Sequence, residues 1–525
     1  MSRPRMPSSA SICGRWPSRL SKERFSNITT THCLMRSIID GLLPLRHRTR
    51  GTQALPGLGA AEPTLCAGPI LPCREGTPEV GSNAARILPM RPPRARARAL
   101  RAATLAACGV VLASCATAQS VQPAAPLDAS SGAPGASARS ASDPAAPTGW
   151  GPTVGELAAA QELVRGWTPA QLAGQVIVGR WQGTDPAEAA RLVADLDLAG
   201  VQLTGTNIVD ADQVRAVTTA VTAASAATGR DFPPVIAVDQ EGGEVAHLAG
   251  VAVDLPPFSV AGRAVVAPSG GEGTVQSAMS AVALELRSLG FTWVFAPDAD
   301  VAADDGSTFI GDRAASGDAA TASRAVAAAV NGYTSAGMAC TLKHFPGHGG
   351  TSDDSHQVLP RIDASLTELQ ARELLPFQAG IAAGAPGVMV GHLDVGALES
   401  GVASSMSAPT YRLLRDQLHF NGVAITDSLG MGAVMERSSP AVDALKAGAD
   451  LLLMPADTRL AHAQVTAAIA SGEVGRAQVE QAAARVVALQ HWQQRAAAAA
   501  PVPADATAQA AARVGDMRAA ADDAP

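Results

Sequence analysis

The sequence predicts an α/β protein whose folded part is a (β/α)8 barrel. Three observations predict it. Eight short apolar runs alternate with alanine-rich amphipathic stretches between about residues 154 and 494. The runs are apolar throughout, as strands covered on both faces must be. Chemistry-bearing residues fall at the ends of the runs, where a barrel gathers its loops on one face. The main competitor, an open doubly wound sheet, lacks its usual Gly-x-Gly-x-x-Gly opening in the first unit.

The runs lie at 176–181, 201–204, 235–238, 292–296, 338–342, 388–390, 423–426 and 451–454. Their length and branched side chains suit strands buried on both sides. Apolar periodicity places helices at 186–199, 214–228, 275–289, 319–336, 366–383 and 439–447. Asp239-Gln240-Glu241-Gly242-Gly243 closes the third run, and Asp298 and Asp300 close the fourth. Lys343-His344 ends the fifth, His392 and Asp394 the sixth, and Asp427-Ser428 the seventh. Any single aspartate here could instead be a helix cap, since Asp and Ser are preferred there. Several such ends together point to an active face.

The barrel occupies 153–495 in this reading, with a low-complexity tail at 496–525. Residues 1–89 show no periodicity and hold four of the seven cysteines; they read as an extension foreign to the native protein. Met90 is followed by Arg91, Arg94, Arg96, Arg98 and Arg101, then by an apolar stretch at 102–113. That is the order of an export signal, and the stretch is too short to span a bilayer. It ends in Leu112-Ala113-Ser114-Cys115, which resembles the lipobox of bacterial lipoproteins. The resemblance implies a signal at 90–115, lipidation of Cys115, and a membrane anchor on the extracytoplasmic face. Residues 116–152 are Ala, Ser, Pro and Gly, the composition of a flexible tether. Cys340, in an apolar run, is expected as a small core residue rather than half of a disulfide. The net charge of −7, with no basic patch outside the signal, argues against a nucleic-acid partner. A monomer is expected.

The densest chemistry is Lys343-His344-Phe345-Pro346-Gly347-His348-Gly349, followed by Asp353-Asp354-Ser355-His356. Glycine and proline make it a loop. In an extended stretch residues two apart face the same way, so Asp354 can orient His356 and stabilise its imidazolium. A histidine titrates near neutrality and can both give and take a proton. Asp427, at a strand end, is a fixed carboxylate suited to nucleophilic work. The spacing of His344, His348 and His356 fits no ligand pattern on a helix, so no metal is expected. No cofactor is expected either.

These segments, with Phe295-Ala296-Pro297, Ile310-Gly311-Asp312-Arg313, the run from Val388 to His392, and Ile425 to Met431, resemble glycoside hydrolase family 3, specifically its β-N-acetylglucosaminidases. The resemblance covers nearly all of residues 160–460. It implies a single (β/α)8 catalytic domain without a second family 3 domain. It implies Asp427 as nucleophile, His356 as general acid then base with Asp354 as partner, and Asp239, Arg313, Lys343 and His344 as sugar ligands. About a hundred residues follow Asp427, so the proton donor must come from the barrel. This favours an N-acetylglucosaminidase acting on N-acetylglucosamine-containing glycans or muropeptides. The alternatives are a phosphorylase using the same intermediate, a β-glucosidase, and a non-catalytic sugar-binding lipoprotein. Two departures stand out. Glu244 and His247 follow Gly242-Gly243 where arginines are typical, and Ala314-Ala315 stand where Ser-Phe is usual. They bear on the sugar-binding wall and on any subsite for an anionic neighbour such as a muramic-acid lactyl group.

Overall fold

The computed structural model describes residues 143–303 and 308–525. Residues 1–89, the signal with Cys115 and the tether up to residue 142 lie outside the described residues.

Eight parallel strands form the barrel: β1 (Ile177–Gly179), β2 (Gly200–Leu203), β3 (Val235–Val238), β4 (Trp293–Val294), β5 (Ala339–Phe345), β6 (Gly387–Val390), β7 (Val423–Thr426) and β8 (Leu452–Leu453). They pair in the order β7-β6-β5-β4-β3-β2-β1-β8, and a parallel bridge between Ile425 and Leu451 closes the ring. Every strand residue is buried, because helices cover the outside and side chains fill the inside. The helices start where the chain supplies a cap. Asp185, Asp210, Asp318 and Asp457 each accept a backbone N–H from the first turn that follows.

Each expected run became a strand, with ends displaced by a few residues. The consequential shift is in β5, which continues through Lys343 and His344 to Phe345. Both polar residues therefore sit on a strand, fixed by the ladder, rather than on a loop. The helix expected at 366–383 is two, Leu366–Ala371 and Leu374–Ala382. Arg372 and Glu373 interrupt it because both turn inward. Arg372 donates to the Ala302 carbonyl at 2.6 Å, and the buried Glu373 packs under Gly347.

The ends of the domain are better ordered than their composition suggests. A helix at Arg476–Ala499 crosses the expected boundary at 495. A further helix, Ala506–Asp522, packs on helices Ser259–Val266 and Glu272–Ser288. Its buried Ala506, Ala510, Val514, Met517 and Ala521 recur at helical spacing. Most are alanines, so the stripe hardly stands out from an alanine-rich background. At the other end Trp150 is buried, Gly151 lies against the Trp492 ring, and Thr153 forms a capping box with Glu156. The expected tether boundary at 152 therefore moves back, and residues 150–152 belong to the domain.

If the 506–522 helix is part of the domain, Met517→Ala removes a fully buried side chain. Thermal unfolding should show a loss of about 2–5 kcal/mol. A loose tail would leave the midpoint where it was.

Candidate active site

At the C-terminal ends of the strands lies a cavity of about 410 Å³. Its walls include Gln202, Asp239, Glu241, Arg313, Lys343, His344, His356 and Asp427. Six of the seven residues expected in the site therefore line one cavity. The seventh, Asp354, holds His356 from behind.

One wall is a buried charge cluster. Lys343 Nζ donates to Asp239 Oδ1 at 2.6 Å and stands 2.5 Å from Glu241 Oε1. Arg313 donates two bonds to the Glu241 carboxylate, at 2.8 and 2.9 Å. Gln202, on β2, donates to the other oxygen of Asp239. Burial penalises each charge, but the opposite charges outweigh it: Glu241 titrates far below the usual carboxylate range, and Lys343 and Arg313 above theirs. Glu241 reaches the cluster because the chain turns sharply after β3. Gly242 has φ near +102°, and a Cβ there would lie 2.0 Å from the Pro256 carbonyl oxygen. Lys343, paired with both acids, still lines the cavity.

A second group orients His344. Its Nδ1 lies 2.8 Å from Asp300 Oδ2, and its Nε2 lies 3.3 Å from the Arg313 guanidinium. Burial lowers the imidazole pKa, Asp300 raises it more, and the net shift is upward. Asp300 also accepts the His348 backbone N–H at 2.7 Å, tying the loop after β5 to the end of β4. Gly349 permits that approach, since a Cβ there would lie 1.9 Å from the Val301 carbonyl oxygen. Behind them Asp298 accepts the Asp300 backbone N–H, while its other oxygen has no partner among the described residues. Asp298, Asp300 and His344 could each offer a metal one atom within 4.8 Å of the others. The His344 and Asp300 atoms are engaged with each other.

Asp427 follows β7. Its backbone N–H donates to the Val390 carbonyl at 2.9 Å, and its carboxylate accepts the Ser428 N–H at 2.7 Å. Burial would raise its pKa, but His344, the Ser428 amide and Lys343 lower it below the ordinary value. It is an ionised carboxylate on the cavity floor. His392, at the end of β6, does not line the cavity. Its Nε2 lies 2.9 Å from the Ser428 carbonyl and its Nδ1 2.7 Å from Ser405 Oγ. Burial holds it neutral, so it braces the Asp427 turn. Asp394 bonds Arg361 and the Gly401 N–H, away from the cavity.

His356 stands at the mouth with 61 % of its side chain exposed. Its Nδ1 lies 2.8 Å from Asp354 Oδ1, which also accepts the His356 backbone N–H at 2.8 Å. The expected pairing is present, but the geometry behind it differs. The segment is a turn closed by the Asp354 side chain, not an extended stretch. Asp354 is held below its ordinary pKa, burial being outweighed by the His356 backbone N–H and the Gln357 amide. An ionised Asp354 only accepts, so Nδ1 carries the proton toward it and Nε2 faces outward. The Phe309 ring lies 6.1 Å from the His356 ring and 5.6 Å from that of His348.

The family model of the glycosyl hydrolase family 3 N terminal domain matches residues 167–489, a span containing all eight strands. The chain belongs to glycosyl hydrolase family 3. It is 31 % identical over 331 residues to beta-hexosaminidase A of Pseudoalteromonas piscicida, covering 58 % of this chain and 55 % of that protein. It is 36 % identical over 263 residues to the beta-hexosaminidase of Stenotrophomonas maltophilia, covering 49 % of this chain and 76 % of the relative. The chain thus spans about half the length of the first relative and three quarters of the second. Among solved structures it resembles a glycoside hydrolase family 3 beta-N-acetylglucosaminidase from Paenibacillus, with a TM-score of 0.61 and 30 % identity. That match covers 67 % of this chain and 68 % of the other.

Within this family 3 barrel, Glu241 and Asp300 are two of the site residues to which the sequence assigned no role. Both were visible as acids at strand ends. Only the fold shows that they neutralise Lys343 and Arg313, and position His344.

Asp298 gives the site a pH signature. Burial first, then the neighbouring Asp300 charge, push its carboxyl up to about 8. Folded Asp298 thus holds a proton that the unfolded chain has released above about pH 4. Its contribution is full below that pH and is lost as pH rises through about 8. Asp298→Asn should flatten this decline, so the variant's melting temperature, relative to wild type, rises from pH 5 to pH 9. Parallel melting curves of the two proteins would refute the assignment.

Proposed function

We propose that the chain is a retaining β-N-acetylglucosaminidase that removes terminal β-linked N-acetylglucosamine from peptidoglycan-derived fragments. One observation carries the reading: an ionised Asp427 lies on the floor of a cavity whose mouth holds the Asp354–His356 pair. A carboxylate below the sugar and a proton donor at the opposite side are what a double displacement requires. Asp427 attacks the anomeric carbon and forms a glycosyl ester while the glycosidic bond breaks. The His356 imidazolium, stabilised by Asp354, gives its Nε2 proton to the leaving oxygen and becomes a neutral imidazole. His356 then takes a proton from water as that water attacks the anomeric carbon and releases Asp427. Asp239, Lys343, Arg313 and His344 bind the sugar hydroxyls, with donors pre-oriented by Glu241 and Asp300. The hexosaminidase relatives support the choice of N-acetylated sugar.

We also propose that lipid on Cys115 holds the barrel at the extracytoplasmic face of the cell membrane, through the Ala-, Ser- and Pro-rich segment that follows it. Two acyl chains anchor firmly where one does not. Among the described residues no helix is long and apolar enough to cross a membrane.

A fluorinated N-acetylglucosaminide with a good leaving group should trap the intermediate. Peptide mapping should place the label on Asp427. In His356→Ala the label should still accumulate from the activated reagent, while hydrolysis of substrates with poor leaving groups falls by roughly two to four orders of magnitude. A label on another carboxylate, or equal losses with good and poor leaving groups, would overturn the assignment.

Cys115→Ala should move the protein from the membrane fraction to the soluble one, or leave it as an uncleaved precursor, with its aryl-glycosidase activity intact. Unchanged partitioning would remove the anchor.

A further inference from the structure

We propose that Glu285 is a positioning residue for the sugar-binding wall, acting through residues 253–266 together with the C-terminal helix. The inference rests on the glycosidase reading above. It extends that reading to an element outside the span that matches the family model, which ends at residue 489. Three observations carry it.

The first is a buried acid without a counter-charge. Glu285 lies in the last turn of the helix Glu272–Ser288 and is 1 % exposed. Among the described residues no lysine, arginine or histidine pairs with it. Its carboxylate accepts the Val253 backbone N–H, with both oxygens 3.1 Å from the nitrogen. The Thr507 hydroxyl, in the first turn of the helix Ala506–Asp522, is its other partner. Burying a carboxylate against an amide and a hydroxyl alone is costly, and an apolar side chain would fill the same space without that cost. What the acid adds is a fixed place for Val253.

The second is what Val253 leads to. Two residues on, the Leu255 carbonyl accepts the Gly243 N–H at 3.0 Å. The Pro256 carbonyl oxygen lies 2.0 Å from where a Gly242 Cβ would stand. The turn that aims Glu241 at Lys343 and Arg313 is therefore seated on this segment. The chain then enters the helix Ser259–Val266. There a Cβ on Gly262 would lie 1.8 Å from the carbonyl oxygen of Ala315, two residues past Arg313. One continuous segment thus backs both members of the Glu241–Arg313 pair. It does so from behind, since none of residues 253–266 lines the cavity.

The third is cover. The helix Ala506–Asp522 packs on Ser259–Val266 and on Glu272–Ser288. Its Arg518 donates to the Asp254 carbonyl and to the Asp254 carboxylate, each at 2.7 Å. Glu285 and Arg518 therefore grip adjacent residues, 253 and 254, from two different helices. Arg287 fixes the chain that leads into the C-terminal helix by donating to the Ala497 and Ala500 carbonyls. Held in this way, the segment keeps the wall's donors where a sugar needs them, and small misplacements of such groups are costly in rate.

The experiment assays full-length Glu285→Met, Glu285→Gln and Arg518→Ala on an aryl β-N-acetylglucosaminide, beside thermal unfolding of each. Methionine fills the space but cannot accept from Val253, whereas glutamine can. In Glu285→Met, folded at the assay temperature, kcat/KM should fall by roughly tenfold or more, carried mainly by KM because the wall holds the sugar before and during reaction. Glu285→Gln should recover to within roughly twofold of the wild type. Arg518→Ala, a surface change, should raise KM by roughly threefold. In the double variant Glu285→Met/Arg518→Ala the two losses should fall short of adding, since both act on one segment. Wild-type kcat and KM in the folded fraction of Glu285→Met overturn the inference, and so do equal losses in Glu285→Met and Glu285→Gln. Should Glu285→Met not fold, Arg518→Ala decides: an unchanged KM overturns the inference and a raised one supports it. A wild type inactive on the substrate overturns the glycosidase reading and this inference with it, whereas an active wild type with unaffected variants removes the inference alone.

Discussion

The site is organised around Glu241. A carboxylate in a nearly closed environment holds the ammonium of Lys343 and the guanidinium of Arg313 at once. Taking any of these charges out of water alone would cost several kcal/mol; together they are tolerated. Loss of Glu241 would leave two buried cations with only Asp239 between them. The cluster joins the turn after β3, the strand β5 and the turn at Gly311–Arg313, three elements far apart in the chain. It shapes the wall proposed to bind sugar in advance, so that its donors need not reorganise on binding.

The remaining parts differ in rigidity, in keeping with their tasks. Asp427 is fixed by two backbone bonds at the end of a strand and braced by the neutral His392. Such placement suits the nucleophile proposed above, because a small displacement is costly in rate. His356 stands on a turn and is largely exposed. Its orientation depends on Asp354 and on the carbonyl contact to Gly432. An open position suits the proposed proton donor, which must later admit water. Glu373 and Asp300 lie beneath this loop and hold its base.

The barrel was legible because its signal is redundant. Eight apolar runs cannot all be buried on both faces in a smaller sheet without leaving an edge, and the ring leaves none. The acids at the strand ends were legible as a class, but their division of labour was not. Asp239, Asp298, Asp300, Asp394 and Asp427 look alike in sequence. In the structure one accepts Lys343, one is buried with an oxygen left unpaired, one orients a histidine, one anchors a loop, and one lines the cavity. Those differences come from neighbours brought by other strands.

Local patterns thus determined the strands, most helix starts and the residues available for chemistry, because caps, glycines and apolar runs act within a few residues. The Asp354–His356 pair also belongs to this set, since the contact spans two positions and closes its own turn. The tertiary structure decided the rest. It carried β5 through Lys343 and His344, broke the helix at Arg372–Glu373, and seated the alanine-rich helix 506–522 on its neighbours. It also gathered Glu241, Arg313 and Lys343 into one wall. Each of these turns on burial and charge pairing between residues separated by tens to hundreds of positions. No local pattern can specify such pairings, because the free energy that selects them exists only once the barrel has closed.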